Sequence, residues 1–274
     1  MRALLLVLAL VPASIWAQKD ALLLHASFDS GVDADTAKGD KKLYTATSYK
    51  DRGDAKPGLH HSDASHVPGR GRNGTGALEF RKKNEKAVYF QGAGNTNYAA
   101  GNLSGTVSFW LKLDPETDLA PGFCDPIQIT DEAYNDSAIW VDFTKDEKPR
   151  HFRLGVFGEL KVWNPQNLPP DKFPAFAKRL VAVKKTPFAK DKWTNVAITF
   201  DRLGSGNGTA TLYLNGQSQG TTESIPERFE WDQARSAIRL GVNYVGLFDD
   251  LTVFSRPLTA AEVKRLAEDK IALR

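Results

Sequence analysis

Trp110, Trp140 and Trp193, with Asp142 and Asn195 close to them in the chain, are the residues whose types best suit carbohydrate recognition. A sugar offers C–H groups to the face of an indole and hydroxyls to an amide or carboxylate, so such rings beside Asn and Asp form a stacking platform. The same rings have a structural reading, as indoles held beneath covering loops with each N–H bonded to backbone. A second set is acidic. Asp249 falls in phase with Leu247, Leu251 and Val253, which turns its carboxylate toward an interior where an unpaired charge is costly. If the segment ending at Asp29 runs antiparallel beside it, the two carboxylates meet and are tolerable around a cation or a shared proton. The other arrangement has Asp249 bonding backbone N–H groups at a bent strand end. A third set, His60, His61, Asp63 and His66, offers ligands for zinc or copper, but it lies in a stretch with few apolar residues. A solvated loop is the preferred reading there, since a metal centre needs a rigid scaffold.

The elements that must position these residues are strands. Short apolar runs bounded by turn residues fall at 21–28, 43–49, 77–80, 86–91, 104–113, 137–143, 151–163, 179–183, 193–200, 209–215 and 217–222, followed by a last run from Gly246 that Pro257 stops. Gly155 and Gly158 are expected to bend or split the run at 151–163. Asn215-Gly216 is the signature of a type I′ hairpin turn. Thr259 followed by Glu262 is a capping box opening a short helix over 258–268, the only helical periodicity of any length. Alternation puts Val107, Phe109, Leu111 and Leu113 on a core face opposite Trp110 and Lys112. Likewise Ile139, Val141 and Phe143 oppose Trp140 and Asp142, and Val196, Ile198 and Phe200 oppose Trp193 and Asn195. Residues 30–75 read mainly as loop. The segment 164–192 holds five prolines among its lysines and reads either as a functional flap or as an insertion covering a sheet edge. The fold class is therefore all-β, a two-sheet antiparallel sandwich closed by one short C-terminal helix.

The order RNGTGALEF, KAVYF, GTVSFWLKL, then WTNVAITFD with LYLNG, and finally FDDLTVFSRPLTAAEVKRL, resembles the LamG-like, concanavalin A-like lectin/glucanase jelly-roll domains. The resemblance runs from about residue 22 to 268, with the long early loop and 164–192 as departures. It implies a jelly roll in which the opening strand pairs with the closing one, and a habit of binding ligands. It also implies calcium, which LamG-like relatives hold at the rim with Asp and carbonyl oxygens, so Asp29 and Asp249 are its candidate ligands here. Glucanases of this fold carry a strand motif resembling Glu-x-Asp-x-x-Glu, and no strand here has it. Asp131, Glu132 and Asp136 are wrongly spaced, Asp142 is alone on its face, and Asp249 and Asp250 point to opposite faces. Hydrolysis normally needs two carboxylates about 5–10 Å apart across the scissile bond, so no catalysis is expected unless different strands assemble the pair.

Composition narrows the partners. Arg2 and an apolar run to Ile15, followed by Ala17, read as a secretory signal cut near residue 17, too short to span a bilayer at about 20 residues. The domain is then 18–274, secreted or periplasmic, with no membrane insertion after removal of the signal. Formal net charge is +3, and +2 without Arg2, which gives no electrostatic grip on nucleic acid. The single cysteine, Cys124, allows no intrachain disulfide. Together these point to a secreted, non-catalytic binding module for carbohydrate or an extracellular protein. A polysaccharide-active enzyme and a structural partner of a surface assembly are the alternatives.

Overall fold

The computed structural model describes residues 20–83, 86–169 and 172–270. The segment read as a signal, residues 1–17, lies outside them. No described helix is long and apolar enough to cross a membrane. Two antiparallel sheets pack face to face. The first has the order β15 (Gln217–Thr221), β14 (Thr209–Leu214), β13 (Thr194–Leu203), β8 (Leu103–Lys112), β17 (Gly246–Phe254), β1 (Leu22–Ala26) and β2 (Thr36–Ala37), with β6 (Ala77–Phe80) on the first half of β17 and β5 (Ala64–Val67) beyond it. The second runs β12 (Leu180–Val183), β11 (Phe152–Phe157), β10 (Ala138–Phe143), β9 (Cys124–Thr130), β16 (Ala237–Val242), β7 (Ala87–Gln91), β3 (Leu43–Ala46) and β4 (Lys56–Pro57).

Opening and closing strands pair antiparallel as expected, with Leu24 opposite Val253 and Ala26 opposite Leu251. The alternating residues predicted to be core form it. Val107, Phe109, Leu111, Val196 and Ile198 from one sheet meet Ile139, Val141 and Phe143 from the other, all fully buried. The rings of Phe109 and Phe248 stack at 5.0 Å within this layer. Asn215 and Gly216 both take positive φ, 49° and 76°, and join β14 to β15.

Five strands were not foreseen: the short β2, β4 and β5 within the stretch read mainly as loop, and β9 and β16, which lie side by side at the centre of the second sheet. Pro126 interrupts β9, a placement tolerated where a strand bulges. The ladder between β9 and β10 does shift register there, between Val141 and Phe143. The run predicted over 151–163 ends as strand at Phe157 and turns into a four-residue helix, α1 (Leu160–Trp163). Gly158 marks that break. Gly155 bends nothing; its hydrogen faces the Trp140 ring, and a Cβ there would stand 2.2 Å from Cζ2 of the indole.

A second single turn, α2 (Pro174–Ala177), lies in the proline-rich segment. Among the described residues the longest helix is α3 (Ala260–Ala267), whose Val263 and Leu266 pack with Ala197, Tyr213, Phe254 and Leu258 on the outer face of the first sheet. Thr259 Oγ1 accepts the N–H of Glu262 at 3.3 Å, and the Glu262 carboxylate accepts the N–H of Thr259 at 2.8 Å. Glu262 is also held by Arg256, which pulls its carboxyl down to about 2. Thr259→Ala is expected to cost about 1 kcal/mol of unfolding free energy in urea, the usual worth of an N-cap.

Candidate functional site

The three tryptophans do not form one platform. Trp110 stands on β8 in the first sheet and Trp140 on β10 in the second, so they face opposite sides of the sandwich. Alternation within a strand is readable from sequence, whereas the sheet to which a strand belongs depends on pairing. Asn195 lies opposite Trp110 across the β8–β13 ladder and is fully buried; its amide donates to Ser108 Oγ at 3.0 Å and to the Phe109 carbonyl at 3.3 Å. Trp193 is half-buried just ahead of β13.

Arg72 covers Trp110, its guanidinium 3.5 Å from the ring centroid. It also bonds Asp250 at 2.6 Å and Asp269, while its backbone N–H is donated to Asp249 Oδ2 at 2.8 Å. Asp249 Oδ1 accepts the N–H of Asp250 at 3.0 Å. A bulge at Asp250, with φ of 49°, shifts the phase of β17. Asp249 therefore shares the outer face with its neighbour Trp110, roofed by the turn at 72–74, and does not point into the core. One residue, Arg72, reaches both aspartates that alternation had separated.

Burial pushes the Asp249 carboxyl up to about 8, and the N–H of Arg72 opposes the rise. These surroundings do not fit calcium, because what meets the carboxylate is two N–H donors and a guanidinium. Asp29 sits in the turn after β1, its N–H donated to Ser27 Oγ at 3.3 Å. Millimolar calcium is expected to leave the melting temperature unchanged; a rise abolished by Asp249→Asn would show that the ion displaces Arg72. The histidines are likewise engaged singly. His60 Nε2 meets the Pro57 carbonyl at 2.8 Å, His66 Nε2 the Phe28 carbonyl at 2.7 Å, and His61 Nδ1 accepts the N–H of Asp63. Among the described residues no three His, Cys, Asp or Glu side chains converge on a metal position.

Trp140 is only 2% exposed. It stacks on Phe157 at 5.7 Å, lies across Gly155, and donates its indole N–H to the Tyr134 carbonyl at 2.6 Å. Phe157, Trp163, Phe173, Phe176 and Leu180 complete this second core on the outer face. The segment 164–192 supplies much of it and is tied down: Arg179 pairs with Glu227 and bonds the Ala175 carbonyl at 2.6 Å, and Phe188 inserts beside Phe143 and Phe152. Both faces of β10 are thus buried at this end.

Beside that cluster a cleft of about 750 Å³ remains open. Its floor carries Asp142, both of whose oxygens accept from Arg153, one from Nε at 2.8 Å and the other from an Nη. The register shift between β9 and β10 sets Asp125 next to Asp142, and Gln128 donates its amide to Asp125 at 2.5 Å. Enclosure by protein and then the neighbouring Asp142 push the Asp125 carboxyl up to about 8. Burial raises Asp142 too, but two guanidinium donors oppose it, so the proton resides on Asp125. At the mouth stand two rings open to solvent, Phe123 at 43% and Tyr134 at 42% exposure.

A family model described as the concanavalin A-like lectin/glucanases superfamily matches residues 82–264, two thirds of the chain. The chain belongs to that superfamily. No curated protein matches it. Among solved structures, the superfamily sandwich seen here is similar to domain 4 of AbnA, an extracellular family 43 arabinanase of Geobacillus stearothermophilus, solved with arabinotriose. The identity is 18% and the TM-score 0.55, over 90% of this chain and 98% of that one. It is also similar to the ligand-binding domain of botulinum neurotoxin serotype D, solved with N-acetylneuraminic acid, at 10% identity and a TM-score of 0.57 over 94% of this chain. The binding domain of Paraclostridial Mosquitocidal Protein 1 is a further neighbour, at 14% and 0.51 over 92%. The chain spans about half of either toxin domain, 53% in each case.

Within this superfamily fold, Trp140 and Asp142 are the sequence candidates that reach the cleft. Asp125, Gln128, Arg153, Phe123 and Tyr134 were missed. Only the approach of β9 to β10 brings them in, and in the strand carrying Asp125 the alternation of Ile127-Gln128-Ile129-Thr130 is short and preceded by Pro126.

Proposed function

We propose that this chain is a secreted or periplasmic, non-catalytic binding module that takes a carbohydrate in the cleft over β9, β10 and β11. The observation that carries the reading is the combination at that cleft: hydrogen-bonded polar groups on the floor, Gln128 and Asp142 buried and Asp125 and Arg153 half-buried, with two exposed rings at the mouth. Fixed donors and acceptors suit hydroxyls, and exposed rings suit the C–H face of a pyranose or furanose. The sugars with which two similar structures were solved, arabinotriose and N-acetylneuraminic acid, support a sugar ligand here. The apolar leader supports export.

A glycan array followed by calorimetric titration tests this. Tyr134→Ala and Phe123→Ala are each expected to weaken binding by about threefold to tenfold, the worth of one ring contact at 0.5–1.5 kcal/mol, with the melting temperature little changed. Binding unaffected by both substitutions would move the site away from the cleft.

One observation favours a second reading, polysaccharide hydrolysis: two neighbouring carboxyls, Asp125 and Asp142, share the cleft, and only Asp142 is held by a guanidinium. Against it, both oxygens of Asp142 are held by Arg153 and its side chain is only 5% exposed, so neither oxygen is turned toward a sugar carbon or a water. Reducing-end assays on glucans, galactans and uronates are expected to show no turnover, and turnover lost in Asp125→Asn would establish the enzyme instead.

A further inference from the structure

Most of the charged groups around the cleft are engaged by a cation, an anion or a hydroxyl. Arg153 of β11 is committed to Asp142 of β10 through both of its bonding edges. Lys145 lies 3.3 Å from Asp146 in the loop after β10. Glu147, in the same loop, takes the Thr144 side chain as donor, which draws its carboxyl below the usual range. Tyr134 contributes a hydroxyl from the loop after β9. What remains is Asp125, whose direct partner is the neutral amide of Gln128; the neighbouring Asp142 carboxylate pushes its carboxyl up, and Arg153, committed to Asp142, opposes that only from a distance. A carboxyl so placed stays protonated until a cation arrives.

We infer that the cleft selects a glycan bearing a free ammonium group, an amino sugar in preference to a neutral, N-acetylated or acidic one, and that Asp125 receives the ammonium. This rests on the binding-module reading above. A bare metal ion would find an amide N–H₂ aimed at the same carboxyl and too few oxygens. A lone alkylammonium would leave most of a 750 Å³ cleft and both mouth rings unused, whereas an aminopyranose uses all three. The proton balance is simple. The ligand ammonium keeps its protons, the Asp125 carboxyl releases its own to buffer, and an ion pair forms in the enclosed floor.

Titration calorimetry of the whole chain with glucosamine, N-acetylglucosamine and glucose oligomers, at mildly acidic pH where the sugar amine is fully protonated and in two buffers of different ionisation enthalpy, tests the assignment. The glucosamine oligomer is expected to bind at least about tenfold more tightly than the other two, with an enthalpy that differs between buffers because a proton is released. Asp125→Asn is expected to erase both the preference and the buffer dependence. Neutral oligomers bound as tightly as the amino form, or a preference that survives in Asp125→Asn, would overturn the inference and leave the binding-module reading intact. If no oligomer of any class binds, both fail, and a lysine-rich peptide bound in their place would identify a protein ligand. Should Asp125→Asn fold poorly, the wild-type buffer dependence alone decides.

Discussion

Arg153→Met is expected to cost about 3–5 kcal/mol of unfolding free energy at neutral pH, the penalty for leaving a buried carboxylate without its partner. Asp142 is 3% exposed, and the Arg153 guanidinium donates to both of its oxygens. Without it, two carboxyls remain together in an enclosed floor. The double variant Arg153→Leu with Asp142→Leu should recover most of the loss, since an apolar pair of similar volume removes the uncompensated charge. Urea titrations of the two singles and the double make the measurement, and additivity of the single losses would show that the pair is not coupled. Acid should help Arg153→Met, because protonating Asp142 removes the charge that lacks a partner. The wild type carries a related dependence at Asp125. Its folded value of about 8 lies above the ordinary 3.8, so its contribution is whole below about pH 4 and is lost as pH rises toward 8.

Trp140→Ala should cost a similar amount, about 3–5 kcal/mol, and should not act as a clean binding variant. The indole is clamped between Phe157 and the backbone of Gly155, its N–H is satisfied, and Trp163, Phe173 and Phe176 extend the same cluster. Removing it opens a void that aromatic neighbours on three different elements cannot readily close. Gly155→Ala should damage the same contact from the other side, by driving a methyl into the ring. Thermal melts of Trp140→Ala and Gly155→Ala would check this. A Trp140→Ala protein as stable as the wild type would mean that the segment 164–192 lifts away from the sheet.

The strands and their inward faces were legible because the pattern is local: Val107, Phe109 and Leu111 alternate, Pro257 stops a run, and Thr259 with Glu262 caps a helix. The neighbours of each strand were not. Trp110 and Trp140 have the same local signature, yet pairing sends one beneath Arg72 and the other beneath an aromatic cluster from residues 157–180. Asp249 looked in phase with the inward Leu251 and Val253, but the bulge at Asp250 breaks that phase and leaves it on the outer face. The cleft was hardest to see, because Asp125 and Asp142 meet across a register shift that Pro126 permits, and nothing in either strand alone announces the other. The alternative roles given to Trp140 and Asp249 from sequence, an indole bonded to a carbonyl and a carboxylate taking backbone N–H groups, are the ones the structure adopts.

The pairing of Leu24 with Val253 also sets the order in which this molecule can be completed. Strand β17 lies between β8 and β1 at the middle of its sheet, and β6 leans on it as well. Until residues 246–254 emerge from the ribosome, β8 lacks a partner along one whole edge and β1 has no place to dock. A chain whose sheet is sealed by its first and last strands has high contact order, so it should fold slowly and only after synthesis has passed residue 254. During that interval the unpaired edges of β8 and β1 are exposed, and they are the surfaces a chaperone would have to hold.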